Sequence, residues 1–255
     1  FILFIMLKFI IKLKNKEIEV FSLFLKINKI KKIIKSSNNI VFFGGAGIST
    51  ESGIPDFRTS STLSNKNPRE ILSSTFFYRY TDEFYEYFRE NRIGKNIEPN
   101  ISHKYLSKLE KKGILKAIVT QNIDGLHQLA GSKNVIELHG NFNEFNCIKC
   151  EQYYEIHELD MSKTPYCKCG SVLKPKTILY EENLDDTKMV LAKECISNSD
   201  TLIIAGTSLM VNPAAGLIRN FKGENLIIIN KTKTPYDSYA NVIINDSIGK
   251  VFSKL

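Results

Sequence analysis

Four of the five cysteines stand in two close pairs, Cys147-Ile-Lys-Cys150 and Cys167-Lys-Cys169, with sixteen residues between the pairs. Zinc prefers four thiolate ligands in a tetrahedron, and cysteine pairs on tight turns can supply them. The second pair is one residue shorter than the commoner Cys-x-x-Cys spacing, and four unconnected buried cysteines are the alternative interpretation. We predict a structural zinc site, because four cysteine ligands leave no coordination position open for water.

A glycine-rich turn at residues 44–47 follows an apolar run at residues 40–43, which has the character of a buried strand. Glycines let the backbone turn sharply and approach a ligand closely. Ser49 and Thr50 are common helix caps, so we expect a helix that starts there and attracts a pyrophosphate. Thr50 stands where the usual dinucleotide fingerprint has its third glycine. The sequence therefore predicts a nucleotide-binding turn of an unusual kind.

Short apolar segments alternate with segments of helical length along most of the chain, which predicts a parallel sheet covered on both faces. The predicted strands are residues 40–43, 117–120, 135–138, 201–205, 226–229 and 242–244. With right-handed crossovers this gives a doubly wound, Rossmann-like α/β fold with six strands. Ligands of such folds bind beyond the carboxyl ends of the strands, and polar clusters follow five of the six predicted strands.

The side chains in these clusters could perform acid–base chemistry on a bound amide. Asn122 donates and Asp124 accepts, so together they can hold a carboxamide, although such residues also form simple turns. His139 could take a proton near neutral pH, although a lone histidine is more often a hydrogen-bonded structural residue. The Gly-Thr-Ser segment at 206–208 fits a ligand contact and an ordinary helix cap equally well.

Residues 45–58, Gly-Ala-Gly-Ile-Ser-Thr-Glu-Ser-Gly-Ile-Pro-Asp-Phe-Arg, resemble the signature of the sirtuins, the NAD-dependent protein lysine deacylases. Segments 120–127, 138–141 and 206–213 resemble further sirtuin motifs in the expected order. The resemblance implies that His139 is the general base and that Asn122 and Asp124 hold the nicotinamide end of NAD. The remaining implied NAD contacts are Gly45, Ala46, Gly47, Ser49, Asp56, Phe57, Arg58, Gln121, Gly206, Thr207, Ser208 and Asn230.

The resemblance also implies a channel for an acylated lysine, with four expected lining residues: Ile178, Tyr180, Val211 and Tyr85. Many sirtuins have Phe-Gly-Glu where this chain has Tyr180-Glu181-Glu182. Members that prefer negatively charged acyl groups carry Tyr-x-x-Arg, whereas here Phe88 follows Tyr85 at that spacing. A carboxylate in an apolar channel needs a paired cation, so acetyl is favoured over succinyl.

The implied activity is NAD-dependent deacetylation of protein lysines, which yields nicotinamide, O-acetyl-ADP-ribose and free lysine. Two alternatives use the same pocket: a mono-ADP-ribosyltransferase or NAD glycohydrolase, and a catalytically silent NAD-sensing module. The presence of His139 favours deacylation. We expect NAD and zinc as cofactors, acetylated proteins as substrates, a monomer, and a cytoplasmic location.

The chain has 255 residues and a net charge of +8, but it shows no basic stripe interleaved with aromatic residues. We therefore expect no sequence-specific nucleic-acid binding. The apolar stretch at 1–13 is too short to span a bilayer, and we expect no membrane role. Residues 1–26 lie outside the resemblance and are expected to be disordered or non-native, whereas 27–255 form the catalytic domain. Its smaller lobe comprises about 59–92 and 141–176, with a mobile lid expected at 59–68.

Overall fold

The computed structural model describes residues 2–54, 67–91 and 97–255, with side chains from residue 17 onward and excluding residue 91. The described strands are β1 (Ile40–Gly44), β2 (Leu115–Thr120), β3 (Val135–Glu137), β4 (Glu144–Cys147), β5 (Tyr153–Glu155), β6 (Leu173–Pro175), β7 (Thr201–Ala205), β8 (Asn225–Ile229) and β9 (Val242–Ile244). The described α-helices are α1 (Ile2–Ser36), α2 (Pro68–Ile71), α3 (Ser74–Arg79), α4 (Thr81–Asn91), α5 (Ile101–Lys111), α6 (Leu126–Leu129), α7 (Asp186–Asn198) and α8 (Ile248–Phe252).

The larger sheet has six parallel strands, as the sequence predicts, and their order is β3-β2-β1-β7-β8-β9. The chain first extends the sheet from β1 through β2 to β3, and then continues from β7 outward on the other side of β1. The strand order therefore reverses beside β1, and the loops at the carboxyl ends diverge there. A doubly wound sheet opens its ligand-binding crevice at this point.

Both faces of the sheet are buried, which explains the near-continuous apolar character of its strands. Successive side chains of β1 alternate between the two faces: Ile40 and Phe42 belong to one core, and Val41 and Phe43 belong to the other. The first core includes residues from α1, α5 and α8. The second includes residues from α7 and from the 3₁₀ segment Ala214–Asn220.

The N-terminal helix α1 is longer than the amphipathic helix predicted at residues 27–36. Ile27, Ile30, Ile33 and Ile34 anchor its last turns in the first core. The structure continues the same helix through residues 2–26, which the sequence led us to expect as a disordered or non-native extension. Among the described residues, no helix combines the length and apolar character needed to cross a bilayer.

The smaller lobe contains the antiparallel sheet β5-β4-β6 and the short helices α2, α3 and α4. Its core is aromatic: Phe88 stacks on Phe142 with ring centroids 3.9 Å apart, and Phe77 meets Phe84 edge to face at 5.0 Å. The sequence predicts this helical and aromatic module correctly. Most of the lid expected at residues 59–68 lies outside the described residues.

Candidate active site

A cleft of about 750 Å³ lies at the carboxyl ends of the larger sheet, where the fold predicts a ligand. The loops after β1, β2, β3, β7 and β8 all contribute to it. The predicted site residues that line it are Ala46, Gly47, Gln121, Asn122, His139, Ile178, Tyr180, Gly206, Thr207, Ser208, Val211 and Asn230. Its volume falls within the range of roughly 300–1,000 Å³ that is usual for small-molecule sites.

Ser49 links the two polar residues that follow β2. Its Oγ donates to Asp124 Oδ2 at 2.7 Å, and Asn122 Nδ2 donates to the same Oγ at 3.1 Å. Asp124 Oδ1 also accepts from the backbone N–H of Leu126 at 3.0 Å. The side chain of Asn122 is therefore fixed on the cleft wall, while the Asp124 carboxylate holds the serine behind it.

This geometry corrects the expectation of a helix that starts at Ser49 and Thr50. Residues 46–48 and 50–52 form two short 3₁₀ turns, and the Ser49 side chain makes no capping hydrogen bond. The hydroxyl donates to Asp124 instead, and within residues 46–54 the described turn contains no α-helix N-terminus that could receive a pyrophosphate.

Close contact between two loops takes the place of that helix. Gly47 N–H donates to the Gly206 carbonyl at 2.8 Å, and a Cβ atom on Gly47 would lie 2.6 Å from Gly206 Cα. Gly206 has φ +65°, a conformation that favours glycine. Thr207 Oγ1 donates to Gln121 Oε1 at 3.2 Å, which ties a third loop to this contact. These glycines let two loops that line the cleft pack against each other, and the cleft that they border is large enough for a nucleotide.

His139 lies in the cleft with one ring nitrogen engaged. Its Nδ1 is 2.9 Å from the backbone carbonyl oxygen of Gln121. A carbonyl can only accept, so Nδ1 carries the proton and Nε2 keeps a free lone pair. Burial lowers the pKa of His139, and the bond to Gln121 opposes that shift. The imidazole is therefore neutral at pH 7 and can accept a proton through Nε2.

Two further histidines are buried behind Asp124, at a position where the sequence indicates no function. The rings of His103 and His127 meet edge to face at 4.9 Å, and both are essentially inaccessible to solvent. Burial lowers the pKa of His103 to about 4, an effect that the negative charge of Asp124 partly opposes. Burial, together with the neighbouring His103, lowers the pKa of His127 to about 3. A pair of neutral imidazoles, those of His103 and His127, is therefore buried beside Asp124.

The four cysteine sulfurs converge in the smaller lobe, as their spacing predicts. The Sγ atoms of Cys147, Cys150, Cys167 and Cys169 all lie within 4.8 Å of one another. Cys147 and Cys169 are 3.4 Å apart, and Cys150 and Cys167 are 3.6 Å apart. Zinc–sulfur bonds of about 2.3 Å in a tetrahedron separate the sulfurs by roughly 3.8 Å, so the cluster fits zinc.

Comparison with known proteins decides the family. The family model described as "Sir2 family" matches residues 45–213. An NAD-dependent protein deacetylase from Clostridium perfringens (strain 13 / Type A) is 55% identical over 239 residues, which cover 90% of this chain and 98% of the relative. The chain belongs to the Sir2 family. The resemblance to sirtuins in the sequence is thereby confirmed.

Solved Sir2 structures show the same architecture. One described as "Structural Basis for the Mechanism and Regulation of Sir2 Enzymes" aligns with a TM-score of 0.82 and 39% identity, over 90% of this chain and 95% of its own. Another, "Sir2-p53 peptide-NAD+", has a TM-score of 0.78 and 36% identity, over 89% and 95%. The predicted doubly wound fold with a smaller lobe that carries a zinc site is confirmed.

In this Sir2 chain, a strap at residues 176–182 runs beside the general-base candidate. Ile178 N–H donates to the His139 carbonyl at 2.8 Å. Tyr180 pairs with the chain at the start of α3. Its N–H donates to the Leu72 carbonyl, and its carbonyl accepts from the Ser74 N–H. Val211 also lines the cleft. Three of the four residues predicted for the acyl-lysine channel, Ile178, Tyr180 and Val211, are therefore in the cleft of the Sir2 fold.

Tyr85 is the fourth, and its placement corrects the expectation that it contacts substrate. The residue is fully buried in the aromatic core of the smaller lobe, and its hydroxyl donates to the Leu173 carbonyl. It is not among the described residues that line the cleft. Burial raises the pKa of Tyr85, so the phenol stays protonated and serves as a structural donor.

Three predicted NAD contacts, Asp56, Phe57 and Arg58, lie outside the described residues. Gly45 sits directly behind the cleft, where an added Cβ would lie 2.9 Å from Thr207 Cβ. Asn230 Nδ2 donates to the Thr232 carbonyl at 2.8 Å, which fixes its side chain at the rim of the cleft.

The sequence reasoning missed one contact in the strap. Glu181 has φ +77°, an unusual conformation for a residue with a side chain. Its Oε2 accepts from both the N–H and the Oγ1–H of Thr75, at 2.9 and 2.7 Å. The residue type could have indicated this backbone conformation, because many sirtuins have a glycine at this position and glycine favours positive φ.

Proposed function

We propose that this Sir2-family protein removes acetyl groups from protein lysines with NAD as co-substrate. The observation that carries the proposal is the imidazole of His139, which lines the cleft and whose Nδ1 donates to the Gln121 carbonyl, so that Nε2 carries the lone pair. NAD supplies the ribose carbon that accepts the acetyl oxygen as nicotinamide leaves. The relatives support this assignment, since they are named NAD-dependent protein deacetylases in several bacteria.

The residues of the cleft then have distinct roles. Asn122 holds the carboxamide of nicotinamide, and Ser49 and Asp124 fix its orientation. His139 takes the proton from a ribose hydroxyl, which becomes the nucleophile toward the acetyl carbon. Gln121 keeps the His139 tautomer correct through its carbonyl. A water molecule then completes the release of the lysine amine, so acetyl-lysine, NAD and water give nicotinamide, O-acetyl-ADP-ribose and free lysine.

The acyl-lysine is placed between the strap at 176–182 and the segment at 210–213, which both line the cleft. An extended peptide adds to such segments through main-chain hydrogen bonds. The channel walls that are described carry Ile178 and Val211, and these favour a neutral acetyl group over a charged acyl group. The preference for acetyl, the monomeric state and the cytoplasmic location stay predictions.

Mass spectrometry of an acetyl-lysine peptide incubated with the zinc-loaded protein and NAD tests the proposal. Loss of one acetyl group from the peptide, with O-acetyl-ADP-ribose formed in equal amount, is the expected result. Gain of ADP-ribose by the peptide would support the transferase instead. Nicotinamide release without any peptide change would support a glycohydrolase, and binding of NAD without any product would support a sensor.

A further inference from the structure

The turn that presents His139 is closed by a side-chain hydrogen bond between its two ends. Glu137 ends β3, and the Gly140 N–H donates to the Glu137 carbonyl at 3.2 Å, so residues 137–140 form a tight turn. Directly after it, Asn141 Nδ2 donates to Glu137 Oε2 at 3.1 Å. Glu137 and Asn141 are both buried. His139 therefore stands inside a loop whose ends are joined by one amide and one carboxylate.

The same amide ties this turn to the smaller lobe. Asn141 Nδ2 donates to Glu144 Oε1, at the start of β4, at 3.1 Å. Asn141 Oδ1 accepts from the backbone N–H groups of Asn143 and Glu144, each at 3.0 Å. An asparagine side chain has two N–H donors and an oxygen with two lone pairs, and all four are used here. A buried amide with its full set of hydrogen bonds is held in one orientation.

Asn141 stands between two carboxylates that would otherwise repel each other. Glu137 Oε1 accepts from Gln128 Nε2 at 2.8 Å, and Glu144 Oε2 pairs with Lys176 at 2.8 Å. Burial raises the pKa of Glu137, the hydrogen bonds from Gln128 and Asn141 oppose that shift, and the negative charge of Glu144 adds to it. Among the described hydrogen bonds, those of Asn141 alone join the two carboxylates. We call this pair of hydrogen bonds the Asn141 bridge.

The strap contacts the same turn. The His139 carbonyl accepts from the Ile178 N–H at 2.8 Å and from Thr177 Oγ1 at 3.2 Å. Gly140 has φ +68°, and a Cβ atom there would collide with the Lys176 carbonyl. The backbone of the turn is thus packed directly against the strap, so a change at either end of the turn moves the imidazole of His139 relative to the cleft.

We propose that Asn141 is a positioning residue for deacetylation: by bridging Glu137 and Glu144, it holds the turn from which His139 takes the ribose proton. The inference rests on the proposed function, because Asn141 acts through the proposed base. Asn141 is not among the described residues that line the cleft, so it does not act by contact with substrate. Loss of the bridge therefore impairs the proton transfer and spares the earlier step, in which nicotinamide leaves.

Two rates of the zinc-loaded protein with NAD and an acetyl-lysine peptide test the proposal: the kcat of deacetylation, and the incorporation of labelled nicotinamide into NAD. Incorporation reverses the first step, before the base acts. Asn141→Ala removes the bridge without adding a charge. It should lower the kcat of deacetylation by about tenfold or more, while nicotinamide incorporation stays within roughly threefold of wild type. KM for the peptide should also change by less than roughly threefold, because Tyr180 and Lys174 anchor the strap independently.

Asn141→Asp adds a pH dependence to the test. The new carboxyl would face the carboxylates of Glu137 and Glu144, and the nearby cations are Lys176 and Lys188. In its ionised form this carboxyl cannot donate, whereas its protonated form can donate to either glutamate. The neighbouring negative charges raise its pKa, so the ratio of variant to wild-type kcat for deacetylation should rise as the pH falls from ~8 to ~6. Nicotinamide incorporation should show no such rise.

Asn143→Asp is the matched control for the added charge. Asn143 lies in the same connection and is exposed, and its side chain makes no hydrogen bond among the described residues. Its kcat for deacetylation should stay within roughly threefold of wild type at each pH, because it cannot disturb the bridge.

Three results from folded variants would overturn the proposal: a wild-type kcat in Asn141→Ala, equal losses of deacetylation and nicotinamide incorporation, or a ratio for Asn141→Asp that does not change with pH. Circular dichroism reports the fold. If neither Asn141 variant folds, Asn141 supports the fold and the assignment as a positioning residue is wrong. A wild-type protein that incorporates nicotinamide but never deacetylates the peptide would contradict the proposed function instead.

Discussion

The two lobes of this protein reach their folds by different means. In the larger lobe, six parallel strands of three to six residues alternate their apolar side chains between two cores, so burial on both faces organises the sheet. In the smaller lobe, the sheet has only three strands of three or four residues, and a sheet of this size needs a packed apolar face to be stable. An aromatic cluster and four converging sulfurs supplement it. The residues that we propose as catalytic follow strands of the larger sheet, while part of the proposed substrate-side wall pairs with the smaller lobe.

The largest expected effect follows from removing a zinc ligand. Cys167→Ser should release the metal and unfold residues 141–176, because the binding energy of a structural zinc is folding energy. Deacetylation should then be lost almost completely. Hydrogen exchange should show loss of protection in β4, β5 and β6, with β1 and β7 still protected.

Cys195→Ser is the matched control, since Cys195 is a cysteine outside the cluster. It should leave both metal content and exchange unchanged. If β4 to β6 stay protected in the metal-free Cys167→Ser protein, the smaller lobe folds without zinc and the contrast between the lobes is wrong.

Within the larger lobe, loss of the Ser49 hydroxyl should have the next largest effect. Ser49→Ala removes the group that joins Asn122 to Asp124, so the amide that we propose holds nicotinamide loses its orientation. Misplacement of a binding group can cost about 10²-fold in rate, and we expect kcat/KM to fall by about that factor without loss of fold. Steady-state kinetics and circular dichroism check both parts.

Ser52→Ala is the control for this prediction. Ser52 lies in the same loop, but its hydroxyl accepts from Asn100 Nδ2 at 3.0 Å and has no contact with Asp124 among the described hydrogen bonds. Its kcat/KM should stay within roughly threefold of wild type. Equal losses in the two variants would show that the effect comes from the loop as a whole.

Acid should destabilise the larger lobe through its buried imidazoles. The pKa values of His103 and His127 are about 4 and about 3 in the folded protein, whereas an unfolded histidine titrates near 6.5. Below pH ~6.5 these histidines therefore bind protons in the unfolded chain but not in the native state. The free energy of unfolding falls with pH until the pKa of the native histidines is reached. Each ring contributes on the order of 2.5 kcal/mol, so the free energy of unfolding should drop by on the order of 5 kcal/mol between pH ~6.5 and ~4.

Denaturant unfolding at several pH values measures this loss. His127→Leu should flatten the dependence, since it removes one of the two buried titrating rings. His157→Leu should not, because the His157 side chain is 73% exposed. A pH dependence that His127→Leu leaves unchanged would contradict the account.

The smallest effect is expected where the lobes meet at the strap. Glu181 accepts two hydrogen bonds from Thr75, and Tyr180 pairs with the same segment. Glu181→Gly removes this carboxylate but suits the positive φ, so we expect KM for the peptide to rise by roughly threefold with kcat unchanged. Glu181→Gln keeps an acceptor, so its KM for the peptide should lie between those of the wild type and Glu181→Gly. A change in kcat alone would show that Glu181 takes part in the chemical step.

The comparison of lobes also explains what the sequence could predict. Hydrophobic periodicity predicts the six strands of the larger sheet and their parallel direction. The direction of the chain then predicts that the polar residues at the strand ends lie together. The zinc cluster follows from cysteine spacing. The role of Ser49 could not be predicted, because a serine beside a glycine turn serves equally well as a helix cap and as a donor to a distant carboxylate.

Tyr85 shows a second limit. Position in an aromatic helix does not tell which face meets the substrate, and the tyrosine turns its hydroxyl to the Leu173 carbonyl of the metal module. Likewise, nothing in the residue types of 17–26 distinguishes a disordered extension from the continuous helix that the structure shows. Such contacts depend on tertiary packing and not on local pattern.

His139→Ala tests the central claim most directly, when deacetylation of a peptide and incorporation of labelled nicotinamide into NAD are measured on the same preparation. If His139 is the neutral base that activates a ribose hydroxyl, deacetylation should fall by at least about 10²-fold while nicotinamide incorporation continues. Deacetylation at the wild-type rate by the folded variant would contradict the account.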